Sequence, residues 1–550
     1  MRRGQLVWLL AIGLAIGGIT DIDPAEADGP VLHELTVPHC PYPALTDSSA
    51  GLRLSYLVER GLYMFDREGA FVPFLAARPE AISDEPQLEY VIEIKKDVHW
   101  PARDGQGSGR CITVDDVVFT YRALMDERSP ILQKRLREKI KSVRPSGENK
   151  LTITLVSPDP FFRTLLSIPI LPRDGFSEPY VTCGSRFFER PVGCGPFCVT
   201  GSNPAENLVN LVRNPCYPAS GAFDEMSINT MPERSTAHQA LLQDKIHFIP
   251  EAVSENEARH LKDSTRRSQM ASDEPIILNT ANYNTLKFTF FAFNCRREHF
   301  SHPGFRKALS YLANREYWVA NFYPSAVIIS GPFSPSNPYY NTKVQPLPYD
   351  PETARAILLD LGYEIREQDG KRSLYYSGMK VSEQKFVVPD RKNEFAANMI
   401  CDDFRHTVAS EIGLDIALVE STADADYEDR VFRRRDFDMA YGSWGFGDYT
   451  DISPLFASTD LGRPENMNFI TYINPEIDDL FEQYRNAVDL EQAKAVYFAI
   501  HEKLADDCPY IFLWSQYNTA IWNATRLKDV DVWGSSVYGN IETWRWVQAQ

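Results

Sequence analysis

From Leu88 to Lys95 apolar and polar side chains alternate, with Leu88, Tyr90, Ile92 and Ile94 on one face, and Leu151 to Leu155 repeats the pattern. A period of two predicts half-buried strands. Between them Thr113-Val114-Asp115-Asp116 has the form of a capping box, after which Val114, Val117, Val118, Tyr121, Leu124 and Met125 recur at helical spacing. This predicts an amphipathic helix lying on a sheet. A second helix is bounded by the cap candidate Asp350 and by Pro351, whose ring presets the first turn. It runs through Ala354, Leu358 and Leu361 to Gly362, a residue suited to a left-handed stop. Helical periodicity also covers Phe305 to Tyr317, Ala396 to Ile412 and Leu490 to Ala505, whereas Ser330 to Pro348 reads as an irregular, proline-rich connection. Strand and helix signals alternate without repeats, so the expected class is mixed α/β.

Length changes this picture by requiring more than one core: 550 residues predict two or three domains. A hydrophobic fraction of 43% with 24% charged residues is that of a folded protein. The formal charge of −18, from 57 basic and 75 acidic residues, opposes a phosphate backbone and argues against nucleic-acid binding. At the start, Arg2 and Arg3 precede an apolar run from Leu6 to Ile19 and the small-residue site Ala25-Glu26-Ala27. That order predicts a secretory signal cut after Ala27 and a mature chain in the periplasm. The apolar run is too short to cross a hydrocarbon layer of roughly 30 Å as a helix, and no cysteine at the cleavage site predicts a lipid anchor. Nine cysteines suit an oxidising compartment, an odd count leaves at least one thiol unpaired, and their connectivity stays open. Cys194 and Cys198 have half of a metal-site spacing, but no histidine pair follows them at zinc spacing.

Chemistry-bearing motifs are scarce. No Gly-x-Ser-x-Gly elbow, His-Glu-x-x-His pair or phosphate-binding glycine loop occurs, so catalysis would have to come from scattered carboxylates such as Asp438, Asp448 and Asp451. The stretch FDMAYGSWGFGDYTD, Phe437 to Asp451, stands out instead, placing a lone tryptophan and several acids on a glycine-rich backbone.

Six segments, in order, resemble the extracytoplasmic solute-binding proteins of family 5, the peptide and nickel type. Glu59-Arg60-Gly61-Leu62-Tyr63 with Gly69 and Val72 to Ala76 is similar to the family's opening motif. Tyr90 to Trp100 with Ile112 to Tyr121 follows, its Asp104-Gly105 inside a longer insertion. Val192-Gly193-Cys194-Gly195-Pro196-Phe197 with Arg213-Asn214-Pro215-Cys216-Tyr217 is the third, Cys194 standing where the family has threonine. Ala292-Phe293-Asn294 through Phe305 to Tyr311 is the fourth, with Asn314 in place of an aspartate. Tyr349-Asp350-Pro351-Glu352-Thr353-Ala354-Arg355 to Gly362-Tyr363 is the fifth, and the glycine-rich stretch the sixth.

The resemblance implies a bilobal periplasmic-binding-protein fold: two α/β lobes joined by two connecting segments, with a third inserted subdomain. It places residues 28–71, 187–285 and 510–550 in one discontinuous lobe, 72–186 in the insert and 286–509 in the second lobe. It implies the substrate-binding component of an ABC importer, a monomer that captures a peptide or peptide-like solute and delivers it to a membrane-embedded permease. Such a protein needs no cofactor, no metal and no catalytic residue. The ligand wall would be the glycine-rich stretch: Trp444 as an apolar plate, Asp448 for a cationic group, and Tyr441, Ser443 and Gly445 beside them. The acid comes one residue later than in the peptide binders, Arg60 replaces an acid and Tyr441 a basic residue. Gly61, Leu62 and Tyr63 would face the ligand across the cleft, and Arg391 and Asn393 would add polar contacts from the second lobe. Two other readings compete: a secreted carboxylate-dependent hydrolase, and a solute receptor that does not feed transport.

Overall fold

The computed structural model describes residues 29–547 except 39, 46–47, 67–70, 79–87, 103–106, 132–134, 158, 160–161, 204–206, 219–222, 252–257, 264–275, 336, 338, 391–394, 446–450, 460, 462–466, 488, 533–536 and 539. The expected export signal lies outside the described residues, and no helix among those described is long and apolar enough to cross a membrane.

An 11-stranded sheet organises the chain. Its strands are β1 (Val31–Glu34), β2 (Phe197–Asn203), β3 (Leu208–Arg213), β4 (Glu225–Thr230), β5 (Phe248–Ile249), β6 (Leu278–Phe293), β7 (Val327–Ile328), β8 (Gln384–Val388), β9 (Ile416–Glu420), β10 (Met439–Gly445) and β11 (Tyr510–Asn523). The spatial order is β9-β8-β10-β6-β11-β5-β1-β4-β3-β2, with β7 paired to β11 off that path. β6 and β11 are the long members, 16 and 14 residues, and they pair antiparallel along nearly their whole length. At about 3.4 Å per residue each spans roughly 50 Å, enough to serve two cores in series. Their ladder breaks in the middle: Asn284 faces Tyr517, and pairing resumes at Phe288 opposite Ser515.

On either side of this break the sheet is covered on both faces, which requires both sets of alternating side chains to be apolar. In the second half, Phe288, Phe290, Ala292, Tyr510 and Phe512 pack against the helices Pro475–Arg485 and Leu490–Asp507. Phe291, Phe293, Ile511, Leu513 and Trp514 face the opposite layer, with Pro303–Tyr311, Pro351–Asp360 and Phe395–Ile412. In the first half, Leu32, Ile228, Phe248, Ala520 and Trp522 form one layer, and Val31, Ile249, Leu278 and Ile521 the other. A fifth core holds residues from Cys40 to Cys194 around a separate three-stranded sheet of Glu89–Glu93, Lys150–Leu155 and Ile140–Gly147.

Several local expectations meet their physical counterparts. Val114–Met125 is helical, and the buried Asp116 carboxylate accepts from the Thr113 backbone N–H at 2.9 Å as the box requires. Asp350 accepts from the Glu352 and Thr353 N–H groups, and Gly362 ends that helix at φ +85°. The continuous helix expected from Phe305 to Tyr317 is instead two, Pro303–Tyr311 and Arg315–Phe322, because Asn314 caps the second by accepting from the Tyr317 N–H at 3.2 Å. Leu88, expected on the buried face with Tyr90, lies outside strand Glu89–Glu93 and is 50% exposed. Gly193 and Gly195 are fixed by a close backbone approach: a Cβ on Gly193 would lie 1.9 Å from the Val58 carbonyl oxygen, and one on Gly195 2.5 Å from the Val58 carbonyl carbon.

Cys40 and Cys183 form a disulfide. Cys194, Cys198, Cys401 and Cys508 are buried free thiols, and burial pushes Cys194 and Cys198 up to about 12, where they stay protonated and inert.

Two expectations follow. Gly193→Ala forces backbone apart and lowers stability by about 1–3 kcal/mol, read as a lower urea midpoint. Burial holds the His33, His247 and His501 imidazoles at about 4, so the unfolded chain takes up their protons near 6.5 while the folded chain does not. Stability from these groups is therefore lost as pH falls from 6.5 toward 4. His501, whose Nδ1 accepts from the Asn341 N–H at 3.1 Å, isolates one of them. His501→Gln loses less stability than the wild type between pH 7 and 5, by about 2 kcal/mol, in urea unfolding at both pH values.

Candidate functional site

β10 carries the first half of the glycine-rich stretch. It pairs antiparallel with β6, placing Tyr441 opposite Phe291, Gly442 opposite Phe290, Ser443 opposite Thr289, Trp444 opposite Phe288 and Gly445 opposite Lys287. On its other side β8 runs parallel but meets it only at Met439 and Ala440. Among the described residues, the edge of β10 from Tyr441 to Gly445 therefore has no strand beside it. The Tyr441 carbonyl accepts from the hydroxyl of the half-buried Tyr427, which desolvation keeps protonated.

Side chains along this edge divide by the period of two. Ser443 and Gly445 are exposed, while Trp444 is half-buried among aromatic rings. Its ring lies near parallel to Phe290 at 6.3 Å, with Phe432 at 5.8 Å and Phe469 at 6.2 Å. Its Nε1–H donates to the Tyr510 hydroxyl at 3.4 Å, and Tyr510 stacks on Phe290 at 4.1 Å. The indole is thus held as a plate with one face and its edge tied down. Glycine is required at 442 because a Cβ there would sit 2.9 Å from the Phe290 ring. Tyr441 points the other way, its ring 6.0 Å from Phe291.

Elsewhere the candidates separate. Gly61 is buried where a Cβ would meet the Ser167 carbonyl oxygen at 2.6 Å, and Leu62 and Tyr63 are buried in the core around residues 40–194. Tyr63 stacks on Phe71 at 4.6 Å and donates its hydroxyl to the Arg78 carbonyl at 3.0 Å. Arg60 is buried with its guanidinium 5.6 Å from the Tyr217 ring and donates to the Tyr56 and Glu59 carbonyls. Asp448, Arg391 and Asn393 lie outside the described residues.

One charged cluster was not legible from spacing. Arg53 donates to the Glu34 carboxylate through Nε at 2.7 Å and Nη2 at 2.5 Å, and through Nη1 to Glu251 at 2.7 Å. Glu34 ends β1, and Glu251 follows β5 by two residues, so both acids stand past the carboxyl ends of parallel strands, where open α/β sheets hold ligands. Burial pushes Glu34 up against the pull of Arg53. Burial also acts on Glu251, but Arg53 and Lys287 overcome it and hold that carboxyl below its usual range. Among the described residues, no group of three or more His, Cys, Asp or Glu could hold a metal ion.

Residues 70–466 match the bacterial extracellular solute-binding proteins, family 5. The chain belongs to that family. It is 23% identical over 443 residues to the oligopeptide-binding protein AppA of Bacillus subtilis, a match covering 78% of this chain and 76% of the relative. It is 24% identical to the nickel-binding periplasmic protein of Escherichia coli over 83% of each. The structure of the Bacillus subtilis protein in complex with a nonapeptide superposes with a TM-score of 0.73 at 21% identity, covering 94% of this chain and 99% of that one. The family 5 fold is bilobal, and the long strands β6 and β11 run through both halves of the sheet seen here. Membership makes the chain a solute-binding component of the ABC-transporter type.

Tyr427→Phe tests the support of the open edge. It leaves the Tyr441 carbonyl without its donor and lowers stability by about 1–2 kcal/mol in chemical unfolding, with far-UV circular dichroism unchanged.

Proposed function

We propose that this family 5 protein captures a peptide or peptide-like solute between two closing lobes and hands it to a membrane-embedded ABC permease. It acts as a monomeric periplasmic binder without chemistry. The observation that carries this reading is the open edge of β10 from Gly442 to Gly445, with Ser443 and Gly445 exposed, beside a fixed aromatic plate. An extended peptide pairs with such an edge through its own backbone, which gives affinity independent of side chains. The nonapeptide in the similar Bacillus subtilis structure supports this cargo class.

In this reading residues 28–71, 187–285 and 510–550 form one lobe, 286–509 the other and 72–186 the insert. The break in the β6–β11 ladder around 285–287 is where the strands bend as the lobes close. Asp448 is the acid for a cationic group of the cargo, and Arg391 and Asn393 add polar contacts. Closure is stabilised only when cargo touches both lobes, so ligand shifts a pre-existing equilibrium.

Native mass spectrometry of residues 28–550, purified without added ligand and compared with the denatured mass, tests the class of cargo. A ladder of peptide masses that vanishes on denaturation is expected; a co-purified metal chelate or sugar would overturn the peptide reading. With a peptide so identified, Asp448→Ala weakens binding by about 2 kcal/mol or more, roughly 30-fold, in calorimetric titration, while the melting temperature without cargo stays unchanged. Unchanged affinity would remove Asp448 from the site.

A further inference from the structure

A cavity lies within the half of the sheet that carries β10. It encloses about 250 Å³ and is lined by Arg315, Lys307, Glu502, Ala505, Asp506 and Cys508 with other residues of the Ser330–Leu347 connection. At about 30 Å³ per water it holds roughly eight waters or a small organic molecule.

Charge is what makes this cavity unusual. Arg315 is only 6% exposed, and buried guanidinium groups ordinarily face a carboxylate. This one does not. Its Nε–H donates to the Phe512 carbonyl at 2.7 Å, and Nη1 donates to Ser310 and Leu347 carbonyls at 3.3 and 2.9 Å. Those bonds use three of five N–H groups and leave both on Nη2 without a protein acceptor among the described residues. Burial lowers its pKa to about 10, still cationic at neutral pH, and the one group pulling it back up is Cys508, whose own buried thiol is pushed up and stays neutral. Of the two acids on the lining, Asp506 pairs at 2.6 Å with Lys307, itself on the lining, and Glu502 accepts from the neutral Asn341 side chain at 2.9 Å. A buried guanidinium with two spare donors thus borders a space of this size, whose rim carries the Lys307–Asp506 pair and the Glu502 carboxylate.

We propose that this cavity binds a small free carboxylate of two to four carbons, with the two N–H groups of Arg315 Nη2 as its main donors and an N–H of Lys307 Nζ not used by Asp506 assisting at the rim. The site is separate from the β10 edge and does not rest on the cargo assigned there. The planar fork of arginine fits the two oxygens of a carboxylate, and the apolar wall of Ile329, Val344, Pro346 and Leu347 suits a short alkyl tail. Occupancy ties Arg315, and through its carbonyl bonds β11 and the 344–347 connection, into one unit.

Sodium acetate is the probe, compared with sodium chloride at equal ionic strength, on the cargo-free mature protein. The wild type melts about 1–2 °C higher in about 50 mM acetate than in chloride, and carbon-13 acetate shows saturation transfer from the protein. Ala505→Phe, a half-buried lining position, fills the space and abolishes both effects. Lys307→Met, at the partly exposed rim, weakens acetate binding about tenfold and decides the matter if Ala505→Phe fails to fold. Equal melting in the two salts with no saturation transfer overturns the proposal. So does an acetate effect that survives in both variants, since the anion then binds elsewhere. None of these readouts depends on cargo, so their failure leaves the peptide reading untouched.

Discussion

Two strands, β6 and β11, belong to both halves of the molecule at once, and that sharing governs what the rest of the chain can do. Where layers press on both faces of these strands, both sets of alternating side chains are apolar, while Asn279 and Asn282 on β6 are exposed. The runs Phe288 to Phe293 and Tyr510 to Trp514, continuous in large apolar side chains, meet that demand in the second half. The first half meets it with Ala520, Ile521 and Trp522. The mutual ladder of β6 and β11 shifts register twice, between Asn284 and Phe288 and between Thr289 and Phe290.

The same economy fixes the candidate site. β10 is anchored to β6 through seven paired positions, yet it outruns β8 after two. One side of its backbone is as rigid as the core, and the other is open. Trp444 is tied by Phe290, Phe432, Phe469 and Tyr510, so the surface it offers has its conformational entropy already removed. The Arg53–Glu34–Glu251 cluster plays a parallel part on the other half, replacing water with a fixed arrangement of charges past the ends of β1 and β5.

Legibility in the sequence followed the range of the interactions. Features decided within four residues were plain: the Asp116 and Asp350 caps, the left-handed Gly362, the alternation of Glu89–Glu93. The helix expected from Phe305 to Tyr317 failed at Asn314, where a short polar side chain competes with the backbone and starts a new helix that apolar periodicity alone does not reveal. Site features set by distant partners were hidden. Trp444 was conspicuous, but Phe290, Phe432, Phe469 and Tyr510 are scattered over more than two hundred positions and look like ordinary core residues. Arg53, Glu34 and Glu251 carry no spacing that would announce them. The order of six weak motifs was informative because each marks a backbone constraint, as Gly193 and Gly195 against Val58 show.

The bare edge of β10 also bears on how the protein survives when empty. Among the described residues, the stretch from Gly442 to Gly445 has no strand beside it on that side, and such an edge next to an aromatic plate is a template for any extended chain, including another copy of the same protein or a partly unfolded neighbour.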